Sequence, residues 1–414
     1  MHHPPTGPIR GIGILILLFL IFDPSANAQN ASPVSFSHPI TLKVRPDDAA
    51  TREGFERFYN SDYEAAIQDF EAAQKAHPDD PSAANHLLEA VLIRELDREG
   101  ALTPQQYLGE DFLRVEKQAL DPQVRDRIGE LTRQAFSLSE SRLRKDPTDA
   151  DALYARGVTR ALSATYEGLV EKAWFSALRS ALGAYHDHKH VVELSPNYSD
   201  AKLVIGVYRY IVAALPIYEK YAAFVLAGSG SKSKGIEDIR QAATAGGETS
   251  VDAHTALTVF LARENRYSEA LAFSEELYRT YPHNFEYGLT QADLLKISNH
   301  LPEAVAAYHK LIALGQQGEF PHARLGRAAY GLGESLHAQG DVAGAADAFE
   351  SASRLSDGDH TQAAQAKLSA GKMYDLTGNR QVAVKLYGEI IATGNDSAEV
   401  QEAQRLLKTP FHER

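Results

Sequence analysis

Small and apolar residues recur along this chain on a fixed beat. A glycine or alanine is followed twelve residues later by alanine, sixteen later by an aromatic ring and nineteen later by a small or aliphatic side chain. Gly54, Ala66, Phe70 and Ala73 keep this spacing, and Pro78 closes the unit. Gly333, Ala345, Phe349 and Ala352 keep it again, as do Gly371, Ala383, Tyr387 and Ile390, and Ala292, Ala304, Tyr308 and Leu311. A divergent copy runs Thr258, Ala270, Ser274, Leu277 and Pro282. Two helices packed at a fixed angle need a small residue where their backbones approach, and the aromatic is expected to fill the space between one hairpin and the next. The pattern therefore predicts consecutive two-helix hairpins and an all-α chain. In the first unit Asn60-Ser61-Asp62-Tyr63 breaks the helix with cap-forming residues, and Pro78 ends it because proline cannot continue a helix.

This arrangement resembles the tetratricopeptide repeat, a helix-turn-helix unit of about 34 residues. The resemblance implies a right-handed superhelical solenoid of antiparallel helix pairs, in which each pair buries its apolar face against its neighbours and a C-terminal helix caps the open end. It implies a binding surface before it implies chemistry. In such a repeat the first helix of each pair lines the concave groove. Residues one and four places after the small residue, and three before it, then project into that groove. They are Phe55, Phe58, Tyr154, Tyr210, Asp293, Lys296, Tyr330, Glu334, Lys372 and Asp375. Aromatic anchors among charges suit a protein or peptide partner. The competing reading of the aromatics is that several are core.

Outside the regular units the chain divides as follows. Residues 1–28 read as a signal peptide: Arg10 precedes an apolar run over residues 11–22, and Ala26-Asn27-Ala28 offers small residues at the positions a signal peptidase reads. The run is short for a membrane anchor. Cleavage after Ala28 leaves Gln29 first and implies a bacterial periplasmic or secreted protein without a stable membrane span. Residues 29–46 read as a flexible leader with a β-prone stretch from Ile40 to Val44. An N-terminal repeat region covers 47–98, an inserted loop 99–121, a central long-helix region 122–248, regular units 249–396, and a capping helix with its tail 397–414. Within the central region a Gly206-x-Tyr208 helix, a Leu215-Pro216 break, a Gly228-Ser229-Gly230 turn and a Gly235-Ile236 helix resemble the tetratricopeptide repeat protein 39 and Iml2-like group. Only the architecture is expected to carry over, across roughly residues 150 to 410.

Composition narrows the function. The formal charge is −13, and no basic cluster offers the phosphate contacts that nucleic-acid binding needs. There is no cysteine, which removes disulfides, thiol catalysis and a lipid-modified cysteine. His186, His190 and Glu193 share one helix face at a spacing that zinc or copper accepts. The plainer reading is a solvated face near a helix end, and no metal or other cofactor is expected. The segment from Gly228 to Gly235 lacks the phosphate-loop spacing and reads as a turn. No catalytic constellation stands out, so no enzyme activity is expected. The main expectation is an exported scaffold that binds a protein or peptide. The alternative is an envelope accessory protein holding a small molecule, lipid or polysaccharide beside Tyr208, Leu215 and Phe224.

Overall fold

The computed structural model describes residues 40–98, 120–214, 230–320, 323–356, 358–394 and 396–413. Among them every regular element is helical, and the helices follow in antiparallel pairs. The N-terminal of two compact units ends at Leu277. It holds α1 (Ala49–Tyr59) with α2 (Tyr63–Ala76), α3 (Pro81–Arg98) with α4 (Pro122–Lys145), α5 (Ala150–Thr165) with α6 (Trp174–Leu194), α7 (Ala201–Ala214) with α8 (Lys232–Thr244), and α9 (Ser250–Arg263) with most of α10 (Tyr267–Thr280). The C-terminal unit starts at Tyr278. Its pairs are α11 (Phe285–Ile297) with α12 (Leu301–Gln316), α13 (Leu325–Ala338) with α14 (Val342–Arg354), and α15 (His360–Leu376) with α16 (Arg380–Ile391); α17 (Ala398–Lys408) covers the last pair. The expected signal peptide, most of the expected leader and inserted loop, Leu215, Pro216, Phe224, and Gly228 and Ser229 of the expected turn lie outside the described residues.

One local rule builds the pairs. Between α1 and α2, α9 and α10, α11 and α12, α13 and α14, and α15 and α16, the middle turn residue is left-handed: Ser61, Asn265, Asn299, Gly340 and Gly378. The next amide then reaches back five residues, as Asp62 to Arg57 (2.9 Å), His300 to Leu295 (2.8 Å) and Asn379 to Tyr374 (2.8 Å). This closes the carbonyls that a helix end leaves open. Asp48, Asp62, Asp149, Asn284, Asp341 and Asp359 cap the helices that follow them by accepting a backbone N–H.

The recurring glycine serves the recurring ring. A Cβ on Gly54 would sit 2.6 Å from the Phe70 ring, one on Gly333 2.7 Å from Phe349, and one on Gly371 2.5 Å from Tyr387. In these three units the aromatic therefore lies over the glycine of its own pair, rather than only between pairs. Tyr308 does reach the next pair, against Gly331. Tyr308, Tyr387 and Phe70 are fully buried, and each such ring contributes about 2–3 kcal/mol by leaving water. The central pair α7–α8 is different: Gly206 faces the backbone of Gly235 at 2.6 Å from a notional Cβ, so two main chains touch.

Candidate functional site

Two polar surfaces stand out, one in each unit. In the C-terminal unit, successive first helices are cross-linked by polar side chains. Arg327 of α13 donates to Glu286 of α11 at 2.6 Å. Lys296 of α11 pairs with Glu334 of α13 at 2.6 Å, Tyr330 of α13 meets Ser369 of α15 at 3.2 Å, and Lys372 of α15 approaches Glu402 of α17 at 3.6 Å. Lys296, Tyr330 and Lys372 are half-buried and Glu334 is exposed. Burial works against the Lys296 charge, but Asp293 and Glu334 outweigh it and hold the ammonium protonated.

In the N-terminal unit four first helices, α1, α3, α5 and α9, and the segments just before α7 and α9 send polar groups to one well. Tyr59 of α1 donates to Asp252 of α9 at 3.1 Å. His86 of α3 bonds Glu248, just before α9, at 2.8 Å. Asp200, just before α7, accepts the Thr249 amide at 3.2 Å and its hydroxyl at 3.1 Å. Tyr154 of α5 and Tyr198 form its wall. Arg45, from the segment before α1, enters this well. Its Nη2 lies 2.6 Å from Asp200 and 3.4 Å from Glu248, its amide donates to Glu248 at 3.2 Å, and its guanidinium lies 5.0 Å from the Tyr154 and Tyr198 ring centres. Burial works to raise Glu248, but His86 and Arg45 outweigh it and hold this carboxyl below its usual range. Asp252 is pushed up to about 7 by burial and by the charges of Glu248 and Asp200, against the Tyr59 hydrogen bond. Burial, Asp252 and Glu248 raise Glu89 as well.

The structure redistributes the residues expected in the groove. Asp293, Lys296, Tyr330, Glu334 and Lys372 fall on the C-terminal cross-linked row, although Asp293 also turns inward to accept the Tyr308 hydroxyl. Phe55, Phe58, Tyr154 and Tyr210 are corrected to core positions, between 1% and 7% exposed. Their positions lie at the seam between neighbouring helices, where a large ring is covered from both sides. Phe55 packs edge-on to Phe70 and His86, Phe58 packs on Tyr59 and Tyr63, and Tyr210 stacks on Phe260 at 4.0 Å. Tyr154 sits under Arg45. Asp375 is also corrected: its side chain is 0% exposed and ties Arg380, the Tyr387 hydroxyl and the Phe411 amide together. His186 and His190 are exposed, while Asp187 and His188 between them point inward. Asp187 pairs with Arg156 and Arg160, and the His188 ring lies over Gly157. Burial pushes His188 down to about 4, so it is neutral. Among the described residues no group of three His, Asp or Glu is placed to hold a metal, and no helix is long and apolar enough to cross a membrane.

Arg45, His86, Asp200, Glu248 and Asp252 were not singled out by the sequence reading. One signal was present: Gly246-Gly247 directly before Glu248. A side chain at Gly247 would collide with the Asp200 carboxylate.

A family model described as tetratricopeptide repeat matches residues 51–99 and 289–360. The first stretch covers α1, α2 and α3; the second runs from α11 to the start of α15 and contains Lys296, Arg327, Tyr330 and Glu334 of the cross-linked row. No curated protein matches the chain in sequence. Among solved structures it is similar to PilW, a type IV pilus biogenesis factor, with 18% identity over 60% of this chain and 98% of that one and a TM-score of 0.41. It is similar to PilF of Pseudomonas aeruginosa, with 16% identity over 63% and 98% and a TM-score of 0.39. It is also similar to yeast Tom70, with 15% identity over 87% of each chain and a TM-score of 0.35.

Proposed function

We propose that this chain is an exported scaffold, without catalysis of its own, that binds a segment of another protein across the first helices of its C-terminal repeats. The observation that carries the reading is the row Glu286–Arg327, Lys296–Glu334, Tyr330–Ser369 and Lys372–Glu402. Three of these contacts join first helix to first helix and the fourth joins the last first helix to α17, so the row repeats with the pairs. Half-buried charges and a tyrosine held in place by their neighbours offer a partner a surface whose ordering cost has been met in advance. The export half of the proposal rests on Arg10, the apolar run that follows it and Ala26-Asn27-Ala28.

Affinity capture of the mature protein from its native envelope tests both halves. The recovered chain is expected to begin at Gln29. Changing Tyr330 to Ala is expected to weaken a captured partner by more than about 1 kcal/mol with unchanged circular dichroism. Glu303→Lys and Lys385→Glu, both exposed on second helices, are expected to change little. Normal binding by the tyrosine variant, with loss in the second-helix variants, sinks the assignment of this face.

A further inference from the structure

The N-terminal well already holds a guest, supplied by the chain itself. Residues 40–46 form neither helix nor strand, yet Arg45 fills a pocket built by α5 and the segments just before α7 and α9. We propose that this pocket recognises an arginine side chain on a linear peptide, and that Arg45 fills it as an internal stand-in which an incoming arginine-bearing peptide displaces. The proposal leans on the scaffold reading only in taking a polypeptide as the ligand; the C-terminal row plays no part in it.

The pocket is organised by bonds that do not involve Arg45. Asp200 is held by the amide and hydroxyl of Thr249 at 3.2 and 3.1 Å, Glu248 by His86 at 2.8 Å, and Tyr198 by Asp151 at 2.8 Å. Its chemistry suits a guanidinium. Two carboxylates meet the N–H edge and two tyrosine rings lie beside the plane, a combination that an ammonium cannot use as fully. Glu248 also accepts the main-chain N–H of Arg45 at 3.2 Å, so backbone and side chain are read together.

The guest is anchored by Arg45 and by Val44, which is 5% exposed, so an incoming peptide must replace both; the rest of the segment is shallower. The Arg45 side chain stays 35% exposed, and Thr41 and Lys43 are exposed. The start of α1 is secured beyond the segment: Asp48 accepts the Thr51 amide at 2.8 Å and pairs with His77 at 2.7 Å. Lifting residues 40–46 therefore leaves the cap of α1 in place. An emptied pocket would leave Asp200 and Glu248 buried near Asp252 without the Arg45 charge, Glu248 keeping His86 and Asp200 keeping Thr249, and uncompensated buried charge is costly. A returning cation removes that cost, and a matching peptide arginine can supply it.

The test uses the full chain and a synthetic peptide with the sequence of residues 41–47, Thr-Leu-Lys-Val-Arg-Pro-Asp. The Arg45→Ala chain is expected to bind this peptide at least tenfold more tightly than the unmodified chain does. It is also expected to prefer it at least tenfold over a peptide with Ala in place of the arginine. A folded Arg45→Ala chain that does not distinguish the two peptides overturns the proposal. If that variant does not fold, a second arm decides. The chain has no cysteine, so Lys43→Cys accepts a single thiol fluorophore. A tethered guest competes at an effective concentration on the order of mM, so the peptide is added at about 10 mM. Its arginine form is expected to free the probe and lower its anisotropy, while the alanine form leaves it unchanged. A probe that stays immobile with both peptides makes residues 40–46 a permanent anchor and overturns the proposal.

Discussion

Asp252 shows how the N-terminal well is balanced. Its folded carboxyl keeps a proton up to about pH 7, against a usual value of 3.8. Between those values the folded chain binds more protons than the unfolded one, so this residue's contribution to stability falls as pH rises. Glu248 has the opposite sign, because its folded carboxyl is depressed; its contribution is present above the ordinary glutamate range and is lost as pH falls below it. Asp252→Asn keeps an acceptor for Tyr59 and removes the titration. The variant is expected to lie closest to the unmodified chain at pH 4.5 and to be increasingly the more stable of the two toward pH 8. The difference should grow by no more than about 1.4 kcal/mol per pH unit, and by less where Glu89 shares the proton. Denaturation midpoints at pH 4.5, 6 and 8 check this, and a pH-independent difference contradicts it.

Helix pairs depend on where a side chain has no room. Gly206 of α7 meets the backbone of Gly235 in α8, and backbone cannot swing aside as a side chain can. Gly206→Ala is expected to destabilise the N-terminal unit by more than about 1 kcal/mol, within the usual range for overpacking. Gly388 of α16 meets nothing within 4 Å, so Gly388→Ala is expected to stabilise by up to about 1 kcal/mol through helix propensity. Chemical denaturation of both variants checks the pair, and equal signs refute the reading. The hairpins were legible in the sequence because Gly54 with Phe70, Gly333 with Phe349 and Gly371 with Tyr387 admit one way of fitting ring to backbone. The fate of the neighbouring positions was not. Whether Tyr210 faces solvent or a seam depends on Phe260 in another pair, and periodicity within one repeat carries no record of that neighbour. The polar well was harder still, since Arg45, His86, Asp200 and Glu248 are each ordinary in their local sequence and acquire meaning only when folding gathers them.

On the scale of the whole molecule the two units differ in how far their contacts reach along the chain. The cross-links of the C-terminal row join neighbours: Lys296 to Glu334 is a separation of 38 residues, and Tyr330 to Ser369 one of 39. In the N-terminal unit the Tyr59–Asp252 bond spans 193 residues and Arg45–Glu248 spans 203. A linear array of pairs can form one step at a time from any point, whereas a bond between its first and fifth pairs cannot form until everything between them is in place. Contacts distant in sequence slow folding. Refolding followed by pulsed hydrogen exchange is expected to protect the amides of α13 to α16 before those of α1 and α9, with α1 and α9 gaining protection together. Tyr59→Phe, which removes the bond and keeps the ring, is expected to loosen that coincidence. With its ends joined, the N-terminal unit also loses the free terminus at which a repeat array frays, so its first pair should open no more readily than its middle ones.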